Sequence, residues 1–232
     1  GPHLGTYSYE IGEPNLDLEK IYGLETVVMY SSNPLNISLT NFLNYSPYYY
    51  QMTKMGECDE EMVLGEDGYP CSGPEYDFIE WGSGPGWLYM YDTQGVEALI
   101  MGYEFNLNYT QHHLSIDYDF SYVRGENLSF EEPLSYMNPA KHVLNIGYDQ
   151  NFMNYKLRLS KIHSQNRLGE FETYTPSAFL MDFIISFQNK RQAFTLQFNN
   201  ILDQTHYNHL SKIKFIAPEP GRNLVISYKL LF

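Results

Sequence analysis

Residues 99–124 read LIMGYEFNLNYTQHHLSIDYDFSYVR. Two alternating runs flank a short break. In the first, Leu99, Met101, Tyr103, Phe105, Leu107 and Tyr109 share one parity, and Gly102, Glu104, Asn106 and Asn108 take the other. In the second, Leu114, Ile116, Tyr118, Phe120 and Tyr122 alternate with Ser115, Asp117, Asp119 and Ser121. Successive side chains on a strand point to opposite faces. Each run therefore predicts a strand with one apolar and one polar side. Thr110-Gln111-His112-His113 is short enough to join them as a hairpin, with both histidines as turn residues.

The same pattern recurs along the chain. Nine segments carry it, at about 19–31, 35–49, 87–109, 114–124, 142–149, 153–163, 178–188, 193–202 and 222–232. Their polar faces are rich in Asn, Ser, Thr, Gln and Asp, with Lys156 and Arg158 on the sixth. Tyr, Phe and Trp gather at apolar positions near strand ends, as an interfacial girdle requires. Connections 110–113, 150–152 and 189–192 are short, whereas 50–86, 125–141, 164–177 and 203–222 are long. These features predict an all-β fold, a segment of an antiparallel transmembrane β-barrel. An 11-residue strand is about 36 Å long, and a tilt near 45° brings it to about 25 Å, the height of an apolar membrane band. The long connections and residues 1–18 then fall on the extracellular side.

Nine strands sit badly with the even counts of bacterial single-chain barrels. Open edges in hydrocarbon cost several kcal/mol for each unsatisfied group. The chain is thus expected to pair with further strands. A self-contained barrel of eight or ten strands, an adhesin or structural protein, is one alternative. A secreted β-sandwich that binds a partner is another, since a sandwich also buries one face of each strand.

Composition narrows the function classes. The chain has 232 residues, 22 Tyr and 14 Phe, and 14 Lys+Arg against 28 Asp+Glu, a net charge of −14. That balance disfavours nucleic acid, whose backbone calls for clustered cations. No apolar run is long enough for a transmembrane helix. The chain opens Gly1-Pro2-His3, which reads either as a processing scar or as a cut through a longer sequence. Cys58 and Cys71, 13 residues apart in a Gly-, Pro- and acid-rich stretch, suit a local disulfide; two unrelated thiols are the other reading.

Several phrases resemble TonB-dependent outer-membrane receptors. Gly12-Glu13-Pro14-Asn15-Leu16-Asp17-Leu18-Glu19 is similar to a phrase that precedes a strand in that family, and Gly102-Tyr103-Glu104 to one that recurs mid-barrel. Tyr122-Val123-Arg124-Gly125-Glu126 resembles the zinc- and haem-type branch. Asn200-Ile201-Leu202-Asp203, Pro220-Gly221-Arg222-Asn223 and the final Phe232 resemble the closing strand and its approach. The resemblance implies the C-terminal part of a 22-stranded barrel whose plug domain, TonB box and about thirteen strands lie outside this sequence. It further implies uptake of a scarce nutrient, a metal ion or a chelate such as a siderophore or haem. Outer-membrane lipid, the TonB complex and the barrel assembly machinery would be its partners, in a Gram-negative bacterium. Tyr228, Leu230 and Phe232 resemble the assembly signal.

No enzyme signature is present, and no cofactor is required. Glu104, Asp117 and Asp119 read as lumen-wall polar residues rather than an acid pair, with Lys156 and Arg158 expected to pair with Asp119 or Glu104. Residues 57–80 hold nine acids and no Lys or Arg: Glu57, Asp59, Glu60, Glu61, Glu66, Asp67, Glu75, Asp77 and Glu80. They lack the EF-hand pattern, so the expectation is a solvated loop that concentrates cations. His206 and His209, three apart in the last long loop, share one side of a turn or helical loop and are candidate metal or haem ligands, with His3 a third; on an extended strand they would face opposite ways, and polar loop histidines are the other reading.

Overall fold

The alternation seen in sequence becomes hydrogen-bonded strand pairing. A computed structural model describes residues 2–3, 8–54, 78–80, 87–169 and 172–230. Among these are thirteen strands and no helix: β1 (Pro2–His3), β2 (Ser8–Ile11), β3 (Lys20–Ser32), β4 (Leu35–Lys54), β5 (Phe78–Glu80), β6 (Trp87–Gln111), β7 (Leu114–Asn127), β8 (Glu132–Pro133), β9 (Lys141–Gln150), β10 (Met153–Ile162), β11 (Ala178–Gln188), β12 (Gln192–Asn199) and β13 (Asn223–Leu230). All nine expected strands are present. Residues 1–18, expected as loop, also contribute β1 and β2, because a four-residue alternation is too brief to stand out in sequence. β4 runs on to Lys54 because the tyrosine run at 48–50 hides the alternation without breaking the strand. Cys58, Cys71, Phe232 and the acids of 57–77 lie outside the described residues.

The chain forms two compact units: residues 1–22, 45–99 and 126–134, and residues 23–44, 100–125 and 135–232. In the second, the strands follow the order β3-β4-β6-β7-β9-β10-β11-β12-β13. From β7 to β13 each neighbour is antiparallel, and the register lines up side chains of one kind. One row runs Ile116, Ile146, Leu157, Phe183, Phe198, Leu224 across six strands. Its neighbour runs Leu114, Tyr148, Tyr155, Ile185, Leu196, Ile226. The opposite face carries Asp117, Asn145, Arg158, Asp182 and, further along, Asn154, Ser186, Thr195, Ser227.

Burial is inverted relative to a water-soluble sheet. Tyr148 is 47%, Phe198 36%, Leu224 53% and Ile226 62% exposed. Continuous apolar rows of this width mark a membrane or partner surface. A sandwich would cover them with a second sheet, and no such layer exists among the described residues. β3 pairs only with β4 and β13 only with β12 among the described residues, and nearly every described side chain on both is exposed.

The same strand order corrects the pairing expected for Lys156 and Arg158. β9 stands between β10 and the carboxylates of β6 and β7. Arg158 is therefore registered against Asn145 and Asp182, and Lys156 against Gly147 and Ile184. On the polar face, Gly102 makes room for an aromatic ring. A Cβ there would meet Tyr122 O at 2.3 Å and Phe42 Cζ at 2.5 Å. The ring covers a position that would otherwise leave backbone bare.

Short turns close one end of the second unit. His112 and Asn151 take left-handed backbone (φ 55° and 53°) in two of them, a conformation that His and Asn tolerate better than most residues. Thr110 N–H reaches Pro34 O at 3.0 Å and Asp149 N–H reaches His113 O at 2.8 Å, tying neighbouring turns together.

In the first unit, β1 pairs antiparallel with β2, which lies parallel to β6. Asn127, fully buried, donates from Nδ2 to Gln51 Oε1 (3.2 Å) and Glu132 Oε1 (3.3 Å). Its Oδ1 accepts the N–H groups of Ser129 (3.0 Å) and Phe130 (3.2 Å). A single buried side chain thus ties two backbone N–H groups of the loop to Gln51 and Glu132.

The two faces predict different tolerance to charge. In phospholipid vesicles, Ile146→Arg should destabilise the sheet by about 2–4 kcal/mol. Thr195→Arg, on the polar face, should cost about 1 kcal/mol or less. Urea unfolding followed by tryptophan fluorescence distinguishes them, and equal costs would contradict the face assignment.

Candidate functional site

Opposite the short turns, in the second unit, three long connections meet: residues 135–140, the described residues of 163–177, and 200–222. Gln165 and Thr175 form an antiparallel bridge, N–H to O at 2.9 and 3.1 Å, folding the second connection on itself. Gln165 Nε2 donates to Met137 O at 2.8 Å, joining the first connection to the second. Glu172 accepts the N–H of Tyr136 at 2.6 Å on Oε1 and that of Gly169 at 3.0 Å on Oε2.

The third connection supplies His209 and Lys214, each 4% exposed. Lysine is seldom this buried unless paired. Lys214 Nζ donates to Thr173 O and, at 2.7 Å, to Thr175 Oγ1. An ammonium can only donate, so Thr175 Oγ1 accepts from it and turns its own proton toward His209 Nδ1, 2.8 Å away. That tautomer leaves the proton on Nε2, which faces Glu172 Oε1 at 2.8 Å. Burial holds the His209 pKa below the usual imidazole value, and the nearby Lys214 charge adds to this; Glu172 opposes it without reversing it. Burial likewise lowers Lys214, again against Glu172.

This knot corrects the expected ligand role of His209. Its Nδ1 is hydrogen-bonded to Thr175 and its Nε2 sits 2.8 Å from Glu172 Oε1, buried within the loops. His206 turns Nδ1 toward Gln204 O at 3.4 Å and does not join it. His3, in the other unit, pairs with Glu10 across the β1–β2 hairpin at 3.1 Å. Among the described residues, no group of three His, Cys, Asp or Glu is placed to hold a metal ion. Glu172, Thr175 and Lys214 escaped the sequence reading because each is an ordinary loop residue until the connections converge.

The third connection is fixed at its base. Asn200, in left-handed backbone (φ 49°), accepts the Gln204 N–H at 3.0 Å and donates from Nδ2 to Gln204 O at 2.9 Å. Its own N–H reaches Asp182 Oδ1 on β11 at 2.8 Å. Asp203 Oδ1 accepts the Arg222 N–H at 2.9 Å, where the chain re-enters β13. These are the residues of the closing phrase, and their work is to clamp the two ends of one loop.

On the polar face, Asp119 accepts from Asn106 Nδ2 at 2.8 Å, and Asp117 accepts from Asn108. Ser38 Oγ donates onward to Asn106 Oδ1 at 3.2 Å. Glu104, Asn106, Asp119, Ser121, Lys141 and Val143 line an open recess of about 260 Å³. Asp117 and Asp119 are thus each held by an asparagine amide on the polar face.

No protein-family model matches the sequence, and no curated protein sequence matches it. Solved structures do match. The copper transporter OprC superposes with a TM-score of 0.75 at 16% identity, over 94% of this chain and 32% of that one. The siderophore receptor PirA from Acinetobacter baumannii gives 0.68 at 16% identity, over 96% and 33%. The ferric enterobactin receptor PfeA from Pseudomonas aeruginosa, as a G324V mutant, gives 0.68 at 16%, over 99% and 34%. The chain spans about a third of the length of these structures. At this identity the likeness establishes the fold: an antiparallel β-barrel segment of the kind found in receptors and transporters.

The knot predicts a pH response. A loosened loop takes up a proton on His209 near pH 6.5, the ordinary value, whereas the packed loop resists until lower pH. The packed arrangement therefore loses stability as pH falls below about 6.5. The Lys214 contribution is constant below neutrality, because its shift is felt near pH 10.5. Amides of 163–177 and 200–222 should exchange faster at pH 5.5 than at pH 7.5 after correction for intrinsic rates. His209→Asn should be less protected at both values and lose the difference. Protection independent of pH in the parent protein would contradict this.

Proposed function

We propose that this chain forms the C-terminal part of an outer-membrane receptor that captures a metal ion or metal chelate for energised uptake. One observation carries the reading: almost the whole chain superposes on about a third of a copper transporter, of a siderophore receptor and of a ferric enterobactin receptor. The exposed apolar rows supply a lipid-facing side, and the polar face supplies a lumen wall. Loops tied to one another at the end opposite the short turns suit capture of ligand outside the cell. The acidic stretch 57–80 would raise the local cation concentration there.

In this proposal β3 and β13 pair with strands outside this sequence, which satisfies their edge groups in hydrocarbon. A plug domain and the TonB complex supply gating and energy, and Tyr228, Leu230 and Phe232 serve the assembly machinery. Zinc or haem, the branch suggested by residues 122–126, is the finer form of the same proposal. No covalent chemistry is asked of the chain.

The test is fractionation combined with growth. The native protein should sediment with outer membranes and resist carbonate extraction. Its deletion should slow growth at least severalfold in metal-chelated medium, and added metal should restore growth. Recovery in the soluble fraction, or uptake unchanged when the proton gradient is collapsed, would overturn it.

A further inference from the structure

The outward apolar face carries a polar island. Where β9 begins and β10 ends, His142 and His163 face each other with Nε2 atoms 3.1 Å apart. Their ring centroids are 5.1 Å apart. His142 Nδ1 lies 2.8 Å from the Tyr118 hydroxyl, and its ring rests on Phe120 at 4.4 Å between centroids. The register confirms the face, since His142 stands opposite Phe120 on β7 and Lys161 on β10. His163 is exposed and His142 partly so. Neither the polar wall nor the loop knot makes use of this pair.

We propose that His142 and His163 bind a first-row divalent transition-metal ion, Cu2+ most strongly, on the outer face of the sheet at the edge nearest the long loops. Two imidazole nitrogens at about 2.0–2.1 Å from one ion stand about 2.9–3.4 Å apart when the angle between them lies between square and tetrahedral. The 3.1 Å separation falls inside that window, so the two nitrogens already stand at ligand spacing. Ligation needs a lone pair on both Nε2 atoms. With the Tyr118 oxygen accepting the His142 Nδ1–H, the ring proton stays on the far nitrogen and Nε2 keeps its lone pair. An outer partner of this kind orients a ligating imidazole and raises its basicity. The Phe120 ring restricts how far His142 can swing away.

The 3.1 Å contact between the two Nε2 atoms is a hydrogen bond, so with His142 protonated on Nδ1 the proton between them belongs to His163; on ligation it moves to His163 Nδ1, and binding to the neutral pair releases no net proton. Two uncharged nitrogen donors without a carboxylate suit copper, nickel or zinc and not calcium or magnesium. Among the divalent ions, affinity rises to a maximum at copper. Lys161 shares this face, and its like charge weakens the site. Its ammonium is turned to Ser177 Oγ, 3.4 Å away, which leaves the remaining coordination positions to water. The site lies on the outside of the wall, so it is separate from any ligand path through the lumen.

The test uses the intact protein in detergent micelles, with His112→Gln and His113→Gln in every sample to remove the neighbouring histidine pair of the turn at the opposite end of the sheet. Cu2+ titration followed by electron paramagnetic resonance should show one copper with two nitrogen ligands. His142→Gln and His163→Gln should each lower copper affinity at least tenfold, with unchanged circular dichroism. Tyr118→Phe should lower it about tenfold while keeping both nitrogens. His163 is exposed, so His163→Gln remains informative even if His142→Gln unfolds. Copper affinity and nitrogen count unchanged in His163→Gln would overturn the proposal. So would competition by equimolar Ca2+.

Discussion

The register between neighbouring strands governs nearly everything else in this molecule. β7 and β9 pair so that Tyr118 meets Leu144 and Asp119 meets Val143. A slip of one residue would set Asp119 against Leu144 and carry every side chain to the wrong face. The same parity is kept at each later pairing through to β13, which joins six short apolar patterns into one surface. Such a surface has no place in water, where large exposed apolar patches drive association. In a bilayer it is the cheapest arrangement, because side chains meet lipid while cross-strand hydrogen bonds satisfy the backbone.

With the wall set by register, the connections divide the labour. The short turns, such as His112-His113, reverse the chain and do little more. The long ones hold their polar backbone with a few side chains that serve several partners at once. In one unit Asn127 does this for residues 127–130, and in the other Glu172, Thr175, His209 and Lys214 do it for three loops. Knots of this kind hold strongly when complete and fail when one member is lost. Asn200 and Asp203 add a fixed base to the last loop, so its apex is positioned by two sets of contacts.

Much of the wall was legible in sequence. The Tyr103–Tyr109 and Leu114–Tyr122 runs predicted their strands, hairpin and faces, because a period of two needs only local reading. β2 was not legible: four residues carry too little periodicity, and its partner on β6 is some 80 positions away. The closing phrase at 200–203 and 220–222 was recognisable as a pattern, but its meaning as a clamp was not. That meaning depends on two ends of a loop meeting. The proposed pairing of Arg158 with Asp119 failed for a related reason. Both lie on the polar face, yet parity says nothing about how many strands intervene.

By itself, then, the sequence determined strand positions, their two faces and the alternation of short and long connections, all of which follow from side-chain polarity read residue by residue. The tertiary structure alone decided which residues meet. It turned His209 from a candidate ligand into a buried strut, since only folding brings Thr175, Glu172 and Lys214 around it. It also set His142 against His163, 21 residues apart, through the β9–β10 register. Local polarity fixes what a residue can face, but contact across distant segments depends on loop closure and strand order, which no short stretch of chain encodes.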